Sequence, residues 1–67
     1  MDHTSALEQL RAKYRQLWDT HQVIADINVR LLQVGKQPSN EQLMNEQRAA
    51  EAVQLARNAL LGALAAG

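Results

Sequence analysis

The sequence contains no cysteine and no phenylalanine, one proline and three glycines. Without cysteine, disulfides, thiolate catalysis and cysteine metal sites are all excluded, and nothing points to an oxidising compartment. A reducing cytoplasm is the expectation. An excess of one charge is lacking too, since seven Lys and Arg balance seven Asp and Glu. A protein binds a phosphate backbone by displacing its counterions with a basic surface, so nucleic acid is not expected as a partner. The most apolar stretch, Ala59 to Gly67, is far shorter than the roughly 20 residues of a bilayer-spanning helix, and no membrane span is expected. Met1 to Ser5 show no basic region leading into an apolar one, so no secretory signal is read there.

The chain's 67 residues give room for one domain, 1–67, and for little core. Below about 70–80 residues a core seldom supplies more than about 3–5 kcal/mol, and small folds commonly add a disulfide, a metal or a partner subunit. The few helix breakers are concentrated in Gly35-Lys36-Gln37-Pro38-Ser39-Asn40. Gly35 suits the left-handed position after a helix end, and Pro38 cannot continue a helix running into it. Ser39 with Gln42 forms a capping-box pattern for a second helix, and Ser5 with Glu8 forms the same pattern for the first. These signals predict an all-α, two-helix antiparallel hairpin of coiled-coil type, with helices at about 5–34 and 40–65 and a loop at 35–39. At 1.5 Å per residue the helices would be roughly 45 and 38 Å long, similar enough to lie along one another.

Leu7, Leu10, Tyr14, Leu17, His21, Ile24, Asn28 and Leu31 recur at alternating spacings of three and four, the pattern of a heptad seam. The second helix shows the same spacing in Ala49, Ala52, Ala56, Ala59, Ala63 and Ala66, small side chains that admit a close neighbour. On a helical wheel the apolar arc of the first helix covers roughly 200°, against a stripe somewhat above 100° on an ordinary surface helix. The second repeats the excess, with Val53, Leu60 and Leu64 beside the alanines and Leu55 and Leu61 on opposite flanks. One neighbouring helix cannot cover both arcs, and exposed apolar patches of this kind mark interaction sites. The candidate partner-binding residues are Tyr14, Trp18, Ala25, Val29 and Leu32 on helix 1 and Leu60 and Leu64 on helix 2. The other flank of helix 1 runs along Ile24, Ile27, Leu31 and Val34. Burial of these stripes by a second copy, as a homodimeric four-helix bundle, or by a different protein follows from the same effect, and composition does not separate them.

Trp18 and Tyr14, the sole aromatics, both fall on the apolar arc. Trp18, at its edge, reads as a binding hot spot rather than core. Asn28 on the seam either fixes the pairing register or marks a solvent-facing edge. Arg11, Lys13 and Arg15 fan around the helix among Glu8 and Asp19 and read as a solvated face. His3 has the spacing of an amine-imidazole chelate but precedes the first cap, and His21 has no second histidine at ligand spacing. No nucleophile with a base, no facing carboxylates and no glycine-rich phosphate loop occur, so neither enzymatic activity nor a cofactor or metal is expected.

From Tyr14 to Leu64, the first helix ends in Leu31-Leu32-Gln33-Val34-Gly35. A short loop follows, then Glu41-Gln42-Leu43 and Gln47-Arg48-Ala49 leading into Ala52-Val53. This layout resembles the small E-type co-chaperones of bacterial type III secretion needle subunits, which are single helical hairpins of similar size. The resemblance implies a cytoplasmic protein of a virulence-associated secretion system. Such a protein pairs with a helical-repeat chaperone and keeps the needle subunit soluble until export.

Overall fold

Neither proline nor glycine falls between Ser5 and Val34, so nothing interrupts the ladder of backbone hydrogen bonds along that stretch. In the computed structural model, which describes residues 3–66 with side chains from Ser5 onward, helix α1 runs His3–Gln33 and helix α2 runs Asn40–Ala66. The two pack along each other as an all-α hairpin measuring 50 × 15 × 14 Å.

The loop is held by the chemistry its sequence announces. Gly35 has φ 79°, and the Gly35 and Lys36 amides donate to the Leu32 and Leu31 carbonyls at 3.1 and 2.8 Å. This is the paired closure in which a left-handed residue satisfies the last carbonyls of a helix. Across the turn, the Ser39 amide donates to Gln42 Oε1 at 2.8 Å and the Gln42 amide donates to Ser39 Oγ at 3.1 Å, completing the capping box of α2. Pro38, between the two, is buried. The Ser5–Glu8 pattern does not mark the start of α1, which is helical from His3. A serine stops a helix only where the residues before it leave the helical backbone, and His3 and Thr4 have no breaker that compels this. The side chain of His3, and with it the chelate spacing, lies outside the described residues.

All eight seam residues of α1 are buried or half-buried, while their outward neighbours Glu8, Arg15, Asp19, Gln22, Asp26 and Arg30 are exposed. The seam of α2 differs from the alanine stripe. Gln42, Glu46, Ala49, Val53, Ala56, Leu60 and Ala63 turn toward α1, whereas Ala59 and Ala66 are exposed. Two effects favour this rotation. It hides Val53 and Leu60, which carry more apolar area than Ala59 and Ala66. It also brings Gln42 and Glu46 to Asn28, whose amide requires partners once covered. Asn28 is 3% exposed and donates to the Gln42 carbonyl at 3.3 Å and to Glu46 Oε1 at 2.7 Å. Of the two roles open to it, Asn28 takes the one that sets register.

The resulting core is thin. Among the described residues, Val53 and Ala56, at 8% and 9% exposure, are the buried apolar members of the helix pair, and no large side chain is fully enclosed.

Candidate protein-interaction face

The heptad geometry that aligns the seam also fixes what flanks it. On α1, Arg11, Trp18, Ala25 and Leu32 stand at seven-residue intervals along one edge of the seam, with Val29 slightly further out; Lys13, Thr20, Ile27 and Val34 line the other edge. On α2 the corresponding edges are Leu43, Ala50, Arg57 and Leu64, with Leu61 further out, and Asn45, Ala52, Ala59 and Ala66. In an antiparallel pair, edges of the same rotational sense come to the same side. The hairpin therefore has two broad faces. An open groove of about 340 Å³ lined by Leu10, Lys13, Leu17, Ala52, Leu55, Ala56 and Ala59 runs along one, and a smaller one lined by Ile24, Ile27, Asn28, Gln42 and Asn45 lies on the same side. The other face carries Trp18.

The Trp18 face is the richer in uncovered apolar side chains. Trp18 (44% exposed), Val29, Leu32, Leu43, Leu61 and Leu64 lie on it, while Val23, Ile27, Val34 and Leu55 belong to the opposite side and Met44 points away from both. Among the residues singled out from sequence, Trp18, Val29, Leu32 and Leu64 are exposed on this face. Tyr14 and Leu60 sit half-buried on the seam, and Ala25 is half-buried beside it. Ile24 and Leu31 are likewise seam residues, so only Ile27 and Val34 of the alternative flank are open to solvent. Val23, Leu43, Met44, Leu55 and Leu61 complete the uncovered set. Leu43 and Leu64 are three heptads apart, a signal legible once the α2 seam is known.

The Trp18 indole lies against the His21 imidazole, ring centroids 5.7 Å apart and tilted by 31°, and the buried His21 Nδ1 makes no hydrogen bond. This contact holds one side of the indole while leaving the rest to solvent. Polar groups on the outward sides pair locally: Arg30 with Asp26 at 3.0 Å, Gln47 with Glu51 and Gln54 with Asn58. Among the described residues no group of three or more His, Asp or Glu is placed to hold a metal ion, and no helix is long and apolar enough to cross a membrane.

The surface area quantifies the incompleteness. The chain exposes 5249 Å² for a mass of 7.5 kDa, roughly a quarter more than the ~4,250 Å² of a compact monomer of that mass. Fold and site together define the class: a two-helix antiparallel hairpin with a thin polar-locked seam and an uncovered apolar face. No family model, curated protein or solved structure matches the chain.

Proposed function

We propose that this chain is a non-enzymatic protein-binding hairpin whose Trp18 face is completed by helices of a partner. The observation that carries this reading is the row of Trp18, Val29, Leu32, Leu43, Leu61 and Leu64 left open along one side of so small a core. A large ring held on one side and open on the other is the kind of anchor that contributes most of the energy of an interface. In the more specific form implied by the resemblance to needle co-chaperones, the partner is a helical-repeat chaperone in the bacterial cytoplasm. The complex shields a needle subunit by stoichiometric cover rather than turnover.

Co-purification from the native host tests this reading. The expected result is a one-to-one complex with a helical-repeat protein that survives washing with moderate salt and is lost with Trp18→Ala. Recovery of the chain without any stoichiometric partner would overturn the co-chaperone form. A complex unaffected by Trp18→Ala would overturn the choice of face.

A further inference from the structure

The charges of the Trp18 face are of one sign over a short length. Asn28 reaches both Gln42 and Glu46, so Leu43 of α2 lies level with about residue 29 of α1, Arg57 with about residue 15 and Leu61 with about residue 11, at the 1.5 Å rise common to both helices. Arg11 and Arg57 are edge residues beside the seam on this face, and Arg15 stands just outside the edge of α1. Three guanidiniums from two helices therefore gather within about 6 Å of height. All three side chains are exposed. Among the described residues the one ion pair is Asp26–Arg30, so Arg11, Arg15 and Arg57 have no carboxylate at salt-bridge distance. The basic cluster of the sequence is thereby divided: Lys13 lines the groove on the opposite face, and Arg57 takes its place from α2.

A self-sufficient helix pair places opposite charges on the edges that meet along its seam, since these residues set partner choice and orientation. Arg11 and Arg57 instead present like charges on the same side, while Asp19, Asp26 and Glu51 stand on the outward lines of the helices. A second copy does not resolve this conflict, because the carboxylate it would bring on this face is Glu8 alone among the described residues, against three guanidiniums. Beyond Arg15 the face turns apolar. Trp18, Val29, Leu43 and Leu32 extend toward the loop over about 21 Å, roughly four turns of a docked helix, and Leu61 and Leu64 continue toward the open end. We propose that the partner segment taken by the Trp18 face is an amphipathic helix of another protein with a cluster of Asp or Glu toward one end of its apolar stripe. Its carboxylates lie over Arg11, Arg15 and Arg57, whose planar forks suit paired carboxylate oxygens, and its apolar stripe lies over Trp18, Val29, Leu32 and Leu43. A phosphate-bearing surface suits the face less, since the formal net charge is zero and Asp19 stands one turn from Arg15. The off-centre charge also fixes the direction in which the helix runs. This inference rests on reading the Trp18 face as a docking surface and names the chemistry of what docks there.

The experiment uses the full chain and two synthetic helical peptides of about 24 residues, identical in an apolar stripe of Leu and Ala and carrying either a cluster of Glu or a cluster of Lys toward one end. Trp18 is the sole tryptophan, so its emission reports occupation of the face. The Glu peptide is expected to shift that emission to the blue at micromolar concentration and to bind about tenfold or more tighter than the Lys peptide, a difference that shrinks as salt rises. A chain carrying Arg11→Glu, Arg15→Glu and Arg57→Glu should reverse the preference while keeping its helical circular dichroism. Should the triple variant not fold, Arg57→Glu alone is expected to narrow the preference. Equal binding of the two peptides, with the emission shift, keeps the docking face and overturns the acidic partner. An unchanged preference for the Glu peptide after charge reversal overturns it as well. So does tighter binding of phosphatidylglycerol vesicles than of the Glu peptide, which would assign the arginines to phosphate. Absence of any emission shift with either peptide overturns both this inference and the reading on which it rests.

Discussion

Asn28 Nδ2 donates to Glu46 Oε1 at 2.7 Å across the helix pair, a buried polar contact between α1 and α2 that sets their register. The same amide reaches the Gln42 carbonyl, so both donors of the side chain are used. A covered amide with two partners offers a large penalty to any slip of one helix past the other, since a displaced Asn28 would meet Ala49 or Val53 and lose both bonds.

Asn28→Ala is therefore expected to destabilise the hairpin by about 1–3 kcal/mol, because the Glu46 carboxylate keeps its partly buried position and loses its donor. Replacing both partners with leucine should recover most of that loss, as apolar groups of suitable shape commonly do. Urea unfolding at one fixed protein concentration measures both. Equal losses in the single and the double variant would show that the loss does not come from a Glu46 carboxylate left without its donor.

The two helical-region glycines should respond in opposite directions. Gly35 has φ 79° with nothing within 4 Å of an added Cβ, so Gly35→Ala has room but requires a left-handed backbone and should cost about 1–2 kcal/mol. Gly62 also faces open space but lies inside α2, and Gly62→Ala should stabilise by about 0.5–1 kcal/mol. Thermal midpoints of the two variants, moving apart about the parent value, are the outcome to look for.

Ser39→Ala removes the hydroxyl that accepts from the Gln42 amide at 3.1 Å. A loss of about 1 kcal/mol is expected, with amide exchange fastest at the start of α2. Unchanged protection of the Gln42 and Leu43 amides would contradict the role given to this cap.

Leu17→Ala and Trp18→Ala should fail differently although the residues are neighbours. Leu17 is half-buried on the seam, and its truncation should lower stability by roughly 2 kcal/mol, toward the small end of core losses because enclosure is partial. Trp18 is 44% exposed, and Trp18→Ala should keep most of the helical circular dichroism while association falls about 30-fold, equivalent to about 2 kcal/mol. Unfolding of the Trp18→Ala protein with undiminished association of its folded fraction would exchange the roles of the two positions.

The Asp26–Arg30 pair should matter little. Both side chains are largely exposed, at 58% and 76%, so water and salt screen their attraction, and Asp26→Asn should shift stability by no more than about 0.5 kcal/mol. A larger shift that vanishes in high salt would show the pair to be part of a wider charge network.

Much of the architecture follows from local chemistry that sequence states directly. The single breaker cluster, the left-handed glycine and the Ser39–Gln42 box each act within a few residues, so the hairpin, its loop and the seam of α1 were all legible before any packing was known. The seam of α2 was not. Its alanines form a regular stripe, but Ala59 and Ala66 remain outside while Val53 and Leu60 turn inward. That rotation is set by what α1 offers across the gap, including an amide in need of Gln42 and Glu46. The same holds for the candidate face. Sequence shows that each helix is too apolar for one neighbour to cover, and it places Trp18 at the edge of its arc. The joining of Trp18, Val29 and Leu32 to Leu43, Leu61 and Leu64 on one side of the molecule is decided only when the helices take their mutual rotation and register, because periodicity is a property of one helix and a face is a property of two.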